Sequence, residues 1–175
     1  MNKSRSLAYI ALFTALTAVS AFIRIPFAIP FTLQTLACMV AGLMLPKREA
    51  VMSQVLYLAL GLIGIPIFTN GGGFAYVLEP TFGYALFLPC ACLIINVLNK
   101  INLRPTVCAF FAAIALLLFG TTYFALISQF YLGKNTDIGK LMVSCTLIFV
   151  PIELVKAVVA SLLYSRLKKI SILED

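Results

Sequence analysis

Glu153 and Lys156 sit three residues apart in PIELVKAVVASLLY, Pro151 to Tyr164, a segment that is otherwise apolar apart from small and terminal positions. Charged side chains inside a membrane segment cost about 2.5–3.5 kcal/mol each on insertion scales, and they face a protein interior or a wet cavity. At spacing i, i+3 both project from one helix face. One acceptor and one donor on one face suit a small polar ligand held within a membrane bundle. The plainer alternative is a structural ion pair.

Other polar groups gather in two irregular stretches. Gln34, in TLQT, carries a donor and an acceptor in one amide; its alternative role is interhelical hydrogen bonding. The stretch PIFTNGGGFAYVLEPTFGY, Pro66 to Tyr84, supplies Asn70, Tyr76, Glu79, Thr81 and Tyr84, with Phe68, Phe74 and Phe82 as flat apolar walls. Gly71, Gly72 and Gly73 open backbone conformations closed to other residues. Such a stretch can roof a pocket or form a solvated loop with interfacial aromatics.

Catalytic constellations are missing. The sequence holds no GxxxxGK[ST], HExxH or GxSxG, no His at all, and no acidic cluster fit for a metal. Its Ser and Thr residues have no base beside them. The chain therefore reads as a binding or transport protein, not an enzyme, with no cofactor and no metal. Cys38, Cys90, Cys92, Cys108 and Cys145 lie in apolar stretches without a CxxC and read as small buried hydrophobes.

These groups need a membrane framework to position them. Of the 175 residues, 62% are hydrophobic and 11% charged, and mean hydropathy is +1.07. Soluble domains average about 25% charged. The chain reads as a single all-α integral membrane domain, 1–175, with room for about six helices. Spans are expected at about 6–23, 32–45, 50–65, 80–98, 105–131 and 151–168. Pro26 and Pro30 interrupt the chain after the first span. Gly133 to Asp137 reads as a turn, and 138–149 as a short interfacial helix ending before Pro151, which suits a first helical turn. The competing reading is one kinked helix from Ile138 onward, which would carry Glu153 from the membrane's mouth to near its midplane.

Charge placement sets orientation. Lys3, Arg5, Lys47, Arg48, Lys100, Arg104, Arg166, Lys168 and Lys169 collect on one side; Arg24, Lys134 and Lys140 lie opposite. Both termini are thus expected in the cytoplasm, with the 24–31 and 66–80 loops outside. The net charge of +7 reflects this asymmetry and no nucleic-acid partner. On the first span, Ala11 and Ala15 form a small-xxx-small pair that would admit a partner helix.

The segments PFTLQTLACMVAGLMLP (30–46), LYLALGLIGIPIF (56–68), NGGGFAYVLEPTFGYALF (70–87) and PIELVKAVVASLL (151–163) resemble BioY, the biotin-binding S component of energy-coupling factor (ECF) transporters. The resemblance runs from the first span to the end of the chain. It implies the six-helix S-component fold in a bacterial plasma membrane. It also implies biotin bound under the outer loops, and partnership with a membrane scaffold protein and two cytoplasmic ATPases. Glu153 and Lys156 match the family's ligand-binding positions, and Ala11 and Ala15 its scaffold-facing residues. Gln34, Asn70, Tyr76, Thr81 and Tyr84 complete the expected ligand set. The chain departs from the family where Asp is common at position 153, and where GPTGGY is common in place of Glu79 to Tyr84.

Biotin suits this chemistry. Its ureido ring offers two N–H donors and a carbonyl, and its tail ends in a carboxylate. Glu153 could accept from the ureido N–H groups; Lys156 could meet the ureido carbonyl or the tail. Other readings are an S component for thiamine or riboflavin, or a stand-alone transporter coupled to protons through Glu153. A thiamine pocket would favour acid without a neighbouring lysine.

Overall fold

The structure is a computed structural model that describes residues 3–25, 31–133 and 138–169. It is helical almost throughout. α1 (Lys3–Phe22) leads into a two-residue strand pair, β1 (Arg24–Ile25) and β2 (Phe31–Thr32), which registers Arg24 opposite Thr32. There follow α2 (Gln34–Met44), α3 (Lys47–Leu62), a 3-10 turn (Phe74–Leu78), α4 (Phe82–Leu86), α5 (Leu88–Lys100), α6 (Pro105–Leu126) and α7 (Ile138–Lys169). Lys3–Phe22, Pro105–Tyr131 and Ile148–Lys169 are long and apolar enough to cross a membrane; Gln34–Met44 and Leu88–Lys100 are shorter apolar helices.

α2 is the hub, packing on α1, α3, α5, α6 and α7. Its small residues allow this: Ala37, Cys38, Ala41 and Gly42 are all buried. A methyl group on Gly42 would come within 3.0 Å of the Ile95 side chain, so α5 lies directly against that backbone. Asn96 Nδ2 donates to the Gly42 carbonyl at 2.7 Å and fixes the register of the two helices. Without a hydrophobic driving force between helices in lipid, such close packing and buried hydrogen bonds carry the association.

α4 and α6 interlock through two reciprocal pairs. A Cβ on Gly83 would overlap the Tyr123 side chain, and one on Gly120 would overlap the Tyr84 ring. Each glycine thus provides the seat for the other helix's tyrosine. α1 leans on α3, where Thr14 Oγ1 donates to the Ser53 carbonyl at 2.9 Å and Gln54 Nε2 donates to Thr17 Oγ1 at 3.2 Å. That buries Phe13, Thr14 and Thr17 and turns Ala11 and Ala15 to the exposed face.

Three features differ from the expected spans. The 80–98 segment is not one helix but α4 and α5, parted at Phe87. Pro89 lies in the first turn of α5 and has no N–H to continue the ladder from α4. The 105–131 segment ends in a π-helical stretch, Ile127–Tyr131. The separate interfacial helix expected at 138–149 is not formed: α7 runs unbroken through Pro151. Neighbouring helices and local adjustment let membrane helices absorb the hydrogen bond a proline removes. Glu153 consequently lies midway along a 32-residue helix. Of the turn expected at 133–137, residues 134–137 lie outside the described residues, as do 26–30 of the first loop.

Candidate ligand-binding site

The Glu153 and Lys156 side chains are both buried, 3% and 9% exposed, and Lys156 Nζ lies 2.6 Å from Glu153 Oε1. The i, i+3 spacing on α7 makes this contact possible, and the first turn of α2 completes it. Thr35 Oγ1 donates to Glu153 Oε1 at 3.0 Å, and Lys156 Nζ donates to Thr35 Oγ1 at 2.8 Å and to the Thr32 carbonyl at 2.9 Å. The lysine therefore clamps α7 to β2 and α2 while neutralising the carboxylate. Among the described residues, Glu153 Oε2 has no hydrogen-bond partner. A buried polar atom left this way costs about 1–3 kcal/mol, more when it is charged.

Glu153 also lines a cavity. Its walls are Thr32, Gln34, Thr35, Tyr57, Phe68, Thr69, Tyr76, Thr81, Tyr84, Ala85, Leu116, Leu117, Phe149, Glu153 and Lys156, and its volume is about 60 Å³. Small-molecule sites are mostly apolar with a few convergent polar groups, and this lining has that character. A roomier groove between α1, α2 and α7 is lined almost wholly by apolar side chains such as Leu12, Leu16, Leu36 and Leu163. It lacks convergent polar groups, so the first cavity is the candidate site.

Around the cavity, polar contacts fix the walls. Gln34 Nε2 donates to Tyr57 Oη at 2.7 Å, Tyr57 Oη donates to the Ile67 carbonyl at 3.1 Å, and Thr32 Oγ1 donates to Gln34 Oε1 at 3.0 Å. This chain ties α2 and α3 to the segment entering the glycine-rich loop. Phe68 rests on Gly61, where any Cβ would enter its ring. Its ring meets Tyr57 edge-on, with centroids 5.4 Å apart, and Tyr76 at 4.7 Å. Positive φ at Gly71 and Gly73, 124° and 103°, lets the loop turn back, and Gly73 N–H donates to the Gly61 carbonyl at 2.7 Å. Across the cavity, Tyr84 Oη pairs with Thr121 Oγ1 at 3.0 Å. Among the described residues, Thr81 Oγ1 is the second buried side-chain polar atom without a partner.

Seven of the residues singled out from sequence thus meet in one cavity: Gln34, Phe68, Tyr76, Thr81, Tyr84, Glu153 and Lys156. Asn70 does not join them. It is exposed, and its Oδ1 accepts from Arg24 Nη1 at 2.7 Å. Glu79 and Phe74 are likewise exposed and outside the lining, and Phe82 packs behind Phe68 at 5.9 Å. Among the described residues, no three His, Cys, Asp or Glu side chains cluster in a way that could hold a metal.

A sequence model of the BioY family matches residues 1–172. The chain belongs to the BioY family. A probable biotin transporter BioY of Pyrococcus horikoshii is 32% identical over 168 residues, 95% of this chain and 98% of that one. A probable biotin transporter BioY of Lysinibacillus sphaericus is 51% identical over 92 residues, 52% of this chain; there the chain spans about half, 47%, of the relative's length. A crystal structure of the S-component for biotin from an ECF-type ABC transporter superposes with a TM-score of 0.76 at 27% identity, covering 97% of this chain and 95% of that chain. The all-helical fold of this BioY family member is therefore that of an ECF S-component.

Thr32, Thr35, Tyr57, Thr69, Ala85, Leu116, Leu117 and Phe149 also line the cavity of this BioY family member and were not singled out from sequence. Thr32 and Thr35 flank Gln34, so the TLQT motif held a signal for them. Tyr57 is a lone phenol in an apolar span, a weaker signal. The aliphatic residues carry none, because any apolar span position could face lipid, core or cavity.

Proposed function

We propose that this chain is the biotin-binding membrane subunit of an ECF-type vitamin importer. The observation that carries the reading is Glu153, which lines a mostly apolar cavity and whose buried Oε2 has no hydrogen-bond partner among the described residues. It calls for a ligand with N–H donors. The ureido N–H groups of biotin supply them, and the fused ring suits the walls made by Phe68, Tyr76, Leu116 and Leu117. Binding relieves the unpaired oxygen, which turns a cost of the empty protein into affinity for the ligand. Membership of the BioY family and the likeness to a biotin S-component support the same substrate. The function is carriage of a ligand, not catalysis.

The finer parts of the reading belong to the same proposal. The ligand set is Gln34, Tyr76, Thr81, Tyr84, Glu153 and Lys156. The chain crosses the bacterial cytoplasmic membrane six times, through α1, α2, α3, α4 with α5, α6 and α7, with both termini in the cytoplasm. α2 is only about 17 Å long against a hydrocarbon core of about 30 Å, so the cavity and its loops occupy the remaining depth. Ala11 and Ala15, on the exposed face of α1, meet a membrane scaffold protein. Two cytoplasmic ATPases drive the transport step, since this chain has no phosphate-binding loop.

Isothermal titration of the detergent-purified chain with biotin, thiamine and riboflavin tests the substrate. Saturable binding of biotin at about one per chain, with no heat from the other two, is the expected result. Binding of thiamine or riboflavin in preference to biotin would overturn it.

A further inference from the structure

Lys47 and Arg48 begin α3 at the end remote from the glycine-rich loop, and both side chains are exposed. Among the described residues, no side-chain hydrogen bond or ion pair engages either one. Glu49, the acid beside them, is drawn to α1, where Ser6 Oγ donates to its Oε1 at 2.7 Å. Val51 and Met52 follow Lys47 and Arg48 by four residues, so they lie on the same helix face. They sit about 6 Å further along the axis. Leu93 of α5 closes that face, and Lys47, Arg48, Val51, Met52 and Leu93 line an open cleft of about 440 Å³. Ala50, Ser53 and Gln54 are buried on the other side of α3, whereas Met52, Val55 and Leu56 are exposed. The cleft therefore opens onto apolar surface, which in a membrane protein faces lipid. The groove between α1, α2 and α7 has no basic residue in its lining.

We propose that the α3–α5 cleft binds one anionic phospholipid. Its headgroup phosphate lies between Lys47 and Arg48, and the start of an acyl chain lies along Val51, Met52 and Leu93. Arginine offers phosphate a bidentate fork and lysine a compact point charge. Two cations beside an apolar slot match a molecule whose charge and chain are joined. Free phosphate would use the cations alone and stay in water; a zwitterionic lipid brings an ammonium that offsets them. In the orientation proposed above, this end of α3 is cytoplasmic, the side whose leaflet carries anionic lipid. The proposal needs the chain to be in a membrane and is independent of what the inner cavity binds.

Native mass spectrometry of the detergent-purified full chain tests it, with phosphatidylglycerol and phosphatidylcholine of identical chains titrated in turn. The parent protein should bind a first phosphatidylglycerol in preference to phosphatidylcholine, and glycerol phosphate should not displace it. Lys47→Gln and Arg48→Gln should each weaken that first binding by about fivefold, the share of one basic residue near a membrane surface. Lys100→Gln and Arg104→Gln remove exposed cations outside the cleft and should leave it at the parental level. Met52→Trp fills the slot at an exposed position with both cations kept, and should also weaken it. Equal retention of the two lipids, equal losses from all the cation variants, or no effect of Met52→Trp would each overturn the site. Photolabelling of the parent protein needs no variant. Phosphatidylglycerol with a diazirine near the start of its chain should mark the peptides holding Met52 and Leu93; labelling confined to other helices would overturn the proposal.

Discussion

Lys156 Nζ holds Glu153 through Oε1, at 2.6 Å, and among the described residues Oε2 of the same carboxylate is buried without a hydrogen-bond partner. One oxygen is thus satisfied by Lys156 and Thr35 Oγ1, and the residue that carries the other lines the cavity. A salt bridge with both oxygens occupied would be a structural pair; this asymmetric one keeps an acceptor ready. The lysine's own contacts to Thr32 and Thr35 aim the carboxylate by anchoring it to a second helix.

Replacing Glu153 by Ala removes the acceptor and takes the carboxylate from beside the buried Lys156 ammonium. Truncating one partner of a buried charge pair costs about 2–5 kcal/mol. Biotin affinity should fall by well over tenfold while the protein still inserts and purifies as a folded species. Calorimetric titration of the variant checks this; near-parental affinity would reduce the pair to a structural role.

Tyr57→Phe tests the polar chain that holds the loop. The phenol accepts from Gln34 Nε2 and donates to the Ile67 carbonyl. Losing it leaves a buried amide and carbonyl short of a partner, at a cost of about 1–3 kcal/mol. The variant should melt at a lower temperature and bind biotin severalfold more weakly, both read by a thermal-shift assay with and without ligand.

Gly120→Ala addresses the α4–α6 seat. The added methyl overlaps the Tyr84 ring, and overpacking of this kind costs about 1–3 kcal/mol. Tyr84 must leave Thr121 and shift within the cavity wall, so both melting temperature and biotin affinity should drop. An unchanged affinity would mean that Tyr84 has no part in shaping the site.

Ala11→Trp places a large ring on the exposed face of α1, away from the cavity. Biotin binding by the purified chain should be unaffected, whereas ATP-driven uptake in cells carrying the coupling module should be lost. Intact uptake would move the partner face elsewhere.

The sequence was most legible where a residue type was costly in its setting. Glu153 and Lys156 stood out because charge in an apolar segment demands a partner, and both lie in the cavity. The helices were legible from runs of apolar residues, but their interruptions were not. Pro151 suggested a helix start, and α7 runs straight through it, because a packed membrane helix can absorb a missing N–H. Pro89 carried the opposite outcome, with the break falling two residues earlier at Phe87. Asn70 looked like a ligand group because polarity marks a loop residue without saying which way it faces. Its direction depends on Arg24, a residue remote in sequence. Tyr57 was invisible for the converse reason: its role comes from Gln34 and Ile67, and nothing adjacent to it in the chain announces them.

The central claim, that Glu153 receives the ureido N–H groups of biotin, is tested most directly by a cycle of four affinities. Biotin and biotin N-methylated on the ureido ring are each titrated into the parent protein and Glu153→Ala. The account predicts that methylation weakens binding more than tenfold in the parent protein and little further in the variant, because the acceptor it would have met is already gone. An equal penalty for methylation in both proteins would contradict it and place the ureido ring elsewhere in the cavity.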